Sequence, residues 1–220
     1  MENENNYIYT KDIIDKEILT DITKSNQVMM EWEKPYMEAL VRELQPKGNV
    51  LEIGFGLGYS ASAIQQYDIN THTIIECDEN VLNKAYEWSE KQKHKVFIIE
   101  GTWQDKLKSL GYFDSFFFDD HPHPDYPDPN ATRMFDFYYD IMENHANKNS
   151  KFTWYCNMPI CWPCNNHISW DMQPYDIDIP DNCTYVEGYG KELNRMYIPL
   201  IIFKERNIKI HRKIIERFKV

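Results

Sequence analysis

The sequence has no run of about 18 or more apolar residues, the length that a membrane-spanning helix needs. Basic residues are also few: 24 Lys and Arg stand against 35 Asp and Glu, giving a formal net charge of −11. Because nucleic-acid binders generally present a basic face, this balance argues against a nucleic-acid partner. The opening stretch MENENNYIYTKDIID lacks the basic and apolar regions of a signal peptide. We therefore expect a soluble, cytoplasmic protein with neither membrane nor nucleic-acid partners.

Cysteine is scarce, with 5 residues, and that odd number favours a reducing, intracellular location over a set of disulfides. Four of the five lie between Cys156 and Cys183. Cys156, Cys161, Cys164 and His167 follow the spacing C-x4-C-x2-C-x2-H, and four such ligands could hold zinc. Thiols without a metal are the favoured alternative, because the first spacing is unusual for a zinc site.

After residue 48, predicted strands alternate with predicted helices. The segments NVLEIGFG, THTIIECD, KVFIIEG and FDSFFFDD predict four strands, and YSASAIQQY and NVLNKAYEWSEKQ predict helices between the first three. This alternation predicts an α/β fold with a Rossmann-like, mostly parallel, doubly wound sheet. MFDFYYDIMENHANK is predicted to be helical, KFTWYCN and MYIPLIIFKE to be late strands, and 161–182 shows no clear pattern.

The N-terminal part is predicted to be helical over 11–45, ending before Pro46 and Gly48. The apolar positions that recur at helical spacing there are Trp32, Tyr36, Ala39, Leu40 and Leu44. We expect a single domain over 1–220. Within it we predict a helical N-terminal lid segment (1–47), a Rossmann-like core (48–220) and a divergent substrate-side region (121–185).

A glycine-rich turn joins the first predicted strand to the following helix. It reads EIGFGLG from Glu52 to Gly58, and the second strand ends at Glu76. Glycine permits tight turns and close approach of a ligand, and an acid after the second strand can accept hydrogen bonds from both ribose hydroxyls. The NAD fingerprint G-x-G-x-x-G competes, but Tyr59 stands where its third glycine belongs. The pattern therefore favours S-adenosyl-L-methionine as the cofactor.

Two further positions follow predicted strands. Trp103 comes after the third strand, where its ring could stack on an adenine or pack in the core. Asp119 comes directly after the apolar run FFF of the fourth strand, and ligands of open α/β sheets bind at such strand ends. We therefore treat Asp119 as a candidate for substrate chemistry.

These segments closely resemble the guanidinoacetate N-methyltransferase family and the related arginine N-methyltransferases. The segments that carry the resemblance are VMMEWEKPYM, VLEIGFGLGYSA, HTIIECDENV, HKVFIIEGTWQD, YFDSFFFDDHP, FDFYYDIMENHA, TWYCN and RMYIPLII. The resemblance is strong from Val28 to Pro122 and patchier as far as Asn157. It implies a class I methyltransferase fold, S-adenosyl-L-methionine as cofactor, no resident metal, and methyl transfer to a guanidino nitrogen.

The resemblance also implies roles for the matching positions. Glu33 and Asp119 would be the catalytic residues and would bind the guanidino group, with His121 and Met158 as further acceptor-binding residues. The positions implied to contact the cofactor are Met29, Met37, Glu52, Gly54, Phe55, Gly56, Leu57, Gly58, Glu76, Cys77, Thr102, Trp103 and Asp119.

The chemistry of a guanidino group agrees with that implication. A guanidinium is planar, offers paired N–H donors that match carboxylates, and is almost fully protonated at neutral pH. A nitrogen that attacks a methyl group must therefore lose a proton, and a hydrogen-bonded carboxylate can accept it. We predict that Asp119 accepts the proton and that Glu33 orients the group.

The sequence departs from the family pattern in the segment that is expected to bind the end of the acceptor away from the guanidino group. In the family, backbone N–H groups after TWYCN contact the substrate carboxylate, but here Pro159 has no N–H, and 158–185 is rewritten. His121 replaces an aromatic hydroxyl. We expect a small guanidino acceptor, guanidinoacetate or a related compound, and a monomer or homodimer. A protein arginine or another amine, and a non-catalytic cofactor-binding homologue, remain alternatives.

Overall fold

A computed structural model describes residues 7–12, 14–22, 27–121, 132–160, 166–178 and 195–209. Its N-terminal part is a small antiparallel sheet of three strands in sequence order: β1 (Tyr7–Lys11), β2 (Glu17–Asp21) and β3 (Gln27–Met30). A single 3-10 turn, Glu31–Glu33, then leads into helix α1, Lys34–Leu44.

The predicted helix over 11–45 is therefore wrong for the residues before Glu31. The helical spacing of apolar residues lies within the 3-10 turn and α1, and it does not extend towards the N-terminus. Upstream, YIYTK and EILTD are rich in β-branched and aromatic residues, which favour strands. The carboxylate of Asp12 accepts the N–H groups of Ile14 and Lys16, both at 2.9 Å, and so stabilises the turn between β1 and β2.

The main sheet has seven strands in the spatial order β6-β5-β4-β7-β8-β10-β9. Their bounds are β4 Gly48–Ile53, β5 Ile69–Glu76, β6 Lys95–Glu100, β7 Phe113–Phe118, β8 Ala146–Trp154, β9 Ile168–Asp176 and β10 Arg195–Phe203. The first five strands of that order run parallel, and β10 runs antiparallel to both of its neighbours. The predicted α/β class and the mostly parallel, Rossmann-like sheet are confirmed.

Within the described ranges, four further helices complete the layers: α2 (Tyr59–Ile64), α3 (Glu79–Ser89), α4 (Trp103–Lys106) and α5 (Arg133–Asp140), which continues as one π-helical turn, Ile141–His145. The buried apolar residues form two clusters. Successive residues of β7 alternate between them: Phe116 and Phe118 pack with α4 and α5, whereas Phe117 packs with α1, α2 and α3. Each face of the sheet is therefore covered by helices.

The region without a clear sequence pattern contains strand β9. Five of its nine residues are Ser, Asp, Gln or Pro, and most of its side chains are exposed, so no continuous apolar run marks it as a strand. It pairs along its whole length with β10, and this pairing stabilises a strand that its own sequence does not predict. Among the described residues, no helix is long and apolar enough to cross a membrane.

Candidate active site

The glycine-rich loop joins the end of β4 to the start of α2. Strand β4 is central: β5 and β6 lie on one side of it and β7 and β8 on the other, so the strand order reverses at this point. Gly54 and Gly56 have φ angles of +81° and +53°, which favour glycine. A Cβ on Gly54 would lie 2.2 Å from the carbonyl oxygen of Asp119, and one on Gly56 would lie 2.8 Å from the sulfur of Met29. Because Gly54 and Gly56 have no side chains, the loop backbone can pack directly against Asp119 and Met29.

Glu76 ends β5 beside this loop. Its buried carboxylate accepts the N–H groups of Phe55 (2.9 Å), Cys77 (2.7 Å) and Asp78 (3.0 Å). Burial raises the pKa of Glu76, and these three bonds oppose the rise. Since a carboxylate has about four lone-pair positions, it retains capacity for another donor, such as a ribose hydroxyl.

Glu52, the acid two residues before Gly54, is completely buried. The Ser60 hydroxyl of α2 donates to one carboxylate oxygen, and Nε2 of His72 lies 2.8 Å from the other. These contacts connect β4 to α2 and β5 beneath the glycine loop. Direct contact of Glu52 with a cofactor stays a prediction, and neither partner was foreseen from the sequence.

Glu33, in the 3-10 turn before α1, is only 2% exposed. Its carboxylate accepts the Met30 N–H at 2.8 Å. Burial raises its pKa to about 7, although that bond and the nearby Tyr155 hydroxyl lower it. A carboxyl group in this position is poised between its two protonation states at neutral pH.

Asp119 follows β7 directly, and its N–H donates to the carbonyl of Ile53 at 3.0 Å, so the ends of β4 and β7 are joined. Burial raises its pKa well above the ordinary value, and the charge of Glu33 is the next largest cause. Glu33 and Asp119, predicted as a pair from distant parts of the sequence, therefore lie close enough to interact electrostatically.

Two methionines with predicted cofactor roles are buried at this site. Met29, on β3, accepts the Leu57 N–H on its sulfur at 3.2 Å, so it lies directly against the glycine loop. Met37, on α1, is fully buried in the cluster on the same side of the sheet. Phe55 likewise turns its ring inward, 5.3 Å from that of Trp88, while its N–H faces Glu76.

Trp103, predicted either to stack on the adenine or to pack in the core, is 6% exposed and packs edge-on against Phe118 and Phe137. Its indole N–H donates to Asp120 at 2.7 Å. Asp120 also forms an ion pair with Arg133 at the start of α5, which was not foreseen because the two are separated along the chain. Thr102 directly precedes α4, and its hydroxyl donates to the Asp105 carboxylate at 3.0 Å.

Strand β1 crosses the glycine loop and the start of α3. The Tyr9 hydroxyl donates to the Gly56 carbonyl at 2.7 Å, and the Tyr7 N–H donates to Asp78 at 3.1 Å. The Tyr7 hydroxyl lies 2.7 Å from Nδ1 of His121. These contacts place β1 over the predicted cofactor site; its tyrosines were not among the predicted site residues.

The remaining acceptor-side predictions are only partly covered by the described residues. Met158 is 59% exposed, and its carbonyl accepts the Cys156 S–H at 3.1 Å. His167 is exposed and pairs with Glu205. Cys161 and Cys164 lie outside the described residues, so the zinc hypothesis stays a hypothesis; within the described ranges there is no cluster of three or more residues suited to a metal.

Structures of other proteins share this fold. The O-methyltransferase from Bacillus cereus, solved with SAH, superposes with a TM-score of 0.54 at 13% identity and covers 80% of this chain and 82% of its own. Spermidine synthase from Thermotoga maritima superposes with a TM-score of 0.54 at 13% identity and covers 90% of this chain and 72% of its own. At these identities the likeness establishes the fold alone.

Sequence relatives are more specific. Protein arginine N-methyltransferase 2 from Candida glabrata is 32% identical over 197 residues, which is 83% of this chain and 45% of that protein. Its namesake from Saccharomyces cerevisiae is 34% identical over 128 residues, which is 52% of this chain and 31% of that protein. The matches thus span less than half the length of these curated relatives.

The sequence profile of guanidinoacetate N-methyltransferase matches residues 10–197. That range includes β2, the glycine loop, both candidate catalytic carboxylates and the start of β10. The match confirms the family resemblance that the sequence segments indicate. The chain belongs to the guanidinoacetate N-methyltransferase family.

Proposed function

We propose that this chain transfers the methyl group of S-adenosylmethionine to a nitrogen of a guanidino group bound between Glu33 and Asp119. The observation that carries the proposal is that Glu33 acts electrostatically on Asp119, which itself packs against the glycine loop. A planar cation with paired N–H donors is the natural complement of two carboxylates.

The free site favours such a cation. Burial raises the pKa of both carboxyl groups, and the charge of Glu33 raises the pKa of Asp119 further. A guanidinium between them offsets the repulsion and favours the ionised forms. Acceptor binding is therefore coupled to proton release, and acceptor affinity should rise with pH through about 7, where Glu33 titrates.

The residues beside the glycine loop fit the cofactor. Because Gly56 has no side chain, its backbone packs against Met29, and this places the Met29 sulfur beside the loop where the family binds its methyl donor. Glu76 would hold the ribose, and Met29 and the 54–58 loop would hold the methionine part. When bound, the cofactor supplies an electrophilic methyl group on a sulfonium.

Asp119 performs the proton transfer in the proposed mechanism. It accepts a hydrogen bond from the attacking nitrogen and takes the proton as the N–C bond forms and the S–C bond breaks. Its raised pKa makes it a better proton acceptor than an ordinary carboxylate. Glu33 binds the other N–H groups and aligns the nitrogen with the methyl group, which contributes much of the acceleration.

Small guanidino compounds and arginine side chains of proteins both satisfy this chemistry. The negative charge of the site favours an acceptor that has no carboxylate near its guanidino group. The charges that act on Asp119 are the carboxylates of Glu33, Glu52, Asp120 and Glu76. An acceptor that carries its own carboxylate near the guanidino group, as guanidinoacetate does, would add to this repulsion. The names of the curated relatives support an arginine side chain within a protein, whose neighbouring amides are neutral. We infer an acceptor without a nearby free carboxylate, with peptidyl arginine favoured over a small guanidino compound.

A methylation screen followed by mass spectrometry tests both the proposed reaction and the inferred class of acceptor. The purified chain and S-adenosylmethionine are incubated with guanidinoacetate, agmatine, free arginine and a capped arginine peptide. We expect methylation of the peptide or of agmatine to exceed that of guanidinoacetate. Preference for guanidinoacetate would refute the inference about charge, and failure with every guanidino compound would refute the proposed reaction.

Variants test the roles of the two carboxylates. Asp119→Asn keeps the shape but removes the base, so kcat/KM should fall by about 10²–10⁴-fold. Cofactor affinity should stay within a few-fold of the wild type. Glu31→Gln is the matched control, because Glu31 is a partly exposed carboxylate two residues from Glu33 that pairs with Lys16. Unimpaired turnover in Asp119→Asn would remove Asp119 from the mechanism.

A further inference from the structure

Strands β8 and β10 are incompletely paired next to the proposed acceptor site. They run antiparallel, with Phe152 opposite Ile201. The same register, continued by four residues, places Cys156 opposite Tyr197, just beyond the end of β8. The Tyr197 N–H donates to the Cys156 carbonyl at 2.9 Å, which is one of the two bonds that such a pair exchanges.

The second bond of this pair is replaced by a side chain. The Cys156 N–H donates to the hydroxyl of Tyr36 at 2.9 Å, and that hydroxyl donates to the Tyr197 carbonyl at 2.7 Å. The oxygen of Tyr36 therefore stands between two backbone groups that would otherwise bond to each other. Tyr36 is completely buried, so water does not compete for either bond.

A proline accounts for the gap that admits this hydroxyl. Pro199 lies opposite Trp154 in the same register and has no N–H to donate to β8. Its carbonyl accepts the hydroxyl of Thr153 at 2.6 Å. Two side-chain hydroxyls, of Thr153 and Tyr36, thus supply bonds where the backbone ladder is interrupted.

The interrupted pair lies beside the candidate catalytic carboxylates. Tyr155 immediately precedes Cys156, and its N–H donates to the carbonyl of Phe118, the residue before Asp119, at 3.0 Å. The Tyr155 ring packs edge-on against that of Tyr36 at 5.6 Å. The Tyr155 side chain also lies near Glu33, whose pKa it lowers. A shift of the backbone at Cys156 would therefore move Tyr155, whose N–H is bonded to the residue before Asp119.

We propose that Tyr36 is a positioning residue whose hydroxyl, inserted between Cys156 and Tyr197, holds Tyr155 against Glu33 and so sets the geometry of the acceptor site. The part that concerns the acceptor rests on the proposed function. Without the hydroxyl, the Cys156 N–H and the Tyr197 carbonyl are free to close on each other, which draws Tyr155 away from Glu33.

Tyr36→Phe removes only the inserted oxygen and tests the proposal. Thr153→Val is the matched control, because it removes the other buried hydroxyl from the same gap, farther from the site. Amide hydrogen exchange, read by mass spectrometry on peptides covering 154–157, reports the backbone without any acceptor. We expect at least a fivefold change in exchange there for Tyr36→Phe, with peptides from β4 unchanged. Wild-type exchange at 154–157 in Tyr36→Phe would overturn the proposal.

Kinetics test the link to the acceptor. For Tyr36→Phe we expect acceptor KM to rise at least fivefold with the cofactor Kd within twofold, whereas Thr153→Val should change neither. The acidic limb of the pH profile should also move to higher pH, because Glu33 loses a partner that favours its ionised form. The other titratable groups around Glu33 are Asp119, Tyr36 and Tyr59, and both variants leave the first and last in place.

The outcomes separate the two proposals. Equal kinetic losses in both variants, or an unmoved pH profile in Tyr36→Phe, would show that Tyr36 is merely structural. If the wild type methylates no guanidino compound, the proposed function fails, while hydrogen exchange still decides whether the hydroxyl holds the strands. If Tyr36→Phe does not fold, Pro199→Ala takes its place: it restores an N–H opposite Trp154, and unchanged exchange at 154–157 would then refute the proposed origin of the gap.

Discussion

Replacing Glu33 by glutamine should make the protein more stable at alkaline pH while it abolishes activity. The wild-type carboxyl has a pKa of about 7 in the folded chain, against 4.5 for an ordinary Glu. Between these values the folded state binds more protons than the unfolded state, so stability falls as pH rises. A glutamine stays neutral throughout, and its carbonyl can still accept the Met30 N–H.

The size of the effect follows from the two pKa values. At about 1.4 kcal/mol for each pH unit between 4.5 and about 7, ionised Glu33 costs about 3 kcal/mol at pH 8. Glu33 is 2% exposed, so solvent screening leaves most of this cost in place. Glu33→Gln should therefore match the wild type near pH 4.5 and exceed its free energy of unfolding by about 3 kcal/mol at pH 8.

Urea unfolding at several pH values between 5 and 8 measures this difference. Urea is required because guanidinium, the usual stronger denaturant, is itself a ligand for the proposed site. Glu31→Gln, at a partly exposed neighbouring position where the Lys16 partner lowers the pKa, should show no comparable pH-dependent gain. A difference between Glu33→Gln and wild type that stays constant from pH 5 to 8 would refute the assignment of a raised pKa to Glu33, and with it the proposed coupling of binding to proton release.

Two further substitutions test the cofactor side. Gly56→Ala places a Cβ 2.8 Å from the Met29 sulfur at a residue with φ +53°, so calorimetry should show at least tenfold weaker cofactor binding, whereas Gly111→Ala, with open space around it, should bind normally. Tyr9→Phe removes the 2.7 Å bond to the Gly56 carbonyl, so stopped-flow measurements should show S-adenosylhomocysteine leaving several-fold faster. Tyr86→Phe, at an exposed position, is its control, and equal release rates in the two variants would contradict the role of β1 as a cover.

The central strands could be predicted because local sequence determines them. Strands β4, β5 and β7 are buried in their C-terminal halves, so each contains a short, mostly apolar run there. The glycine loop follows β4, Glu76 ends β5, and Asp119 follows β7. Parallel strands bring these residues to one edge of the sheet. The relation between Glu33 and Asp119, in contrast, came from a family resemblance, because no local pattern links residues so far apart.

The parts of the fold that the sequence did not predict depend on residues far away along the chain. Strand β1 is short and partly exposed, and its contacts with Gly56 and Asp78 come from much later in the chain. The role of Tyr36 depends on a register set by β10, about 160 residues away. As an apolar residue at helical spacing it was correctly placed in α1, but nothing in that spacing indicates that its hydroxyl completes a sheet.

The attachment of β1 bears on the timing of the catalytic cycle. A donor seated on the glycine loop would be roofed by a strand fastened at Gly56, Asp78 and His121. Release of the demethylated cofactor would then require β1 to move away from the loop once in each catalytic cycle. If that movement is slower than methyl transfer, it sets kcat.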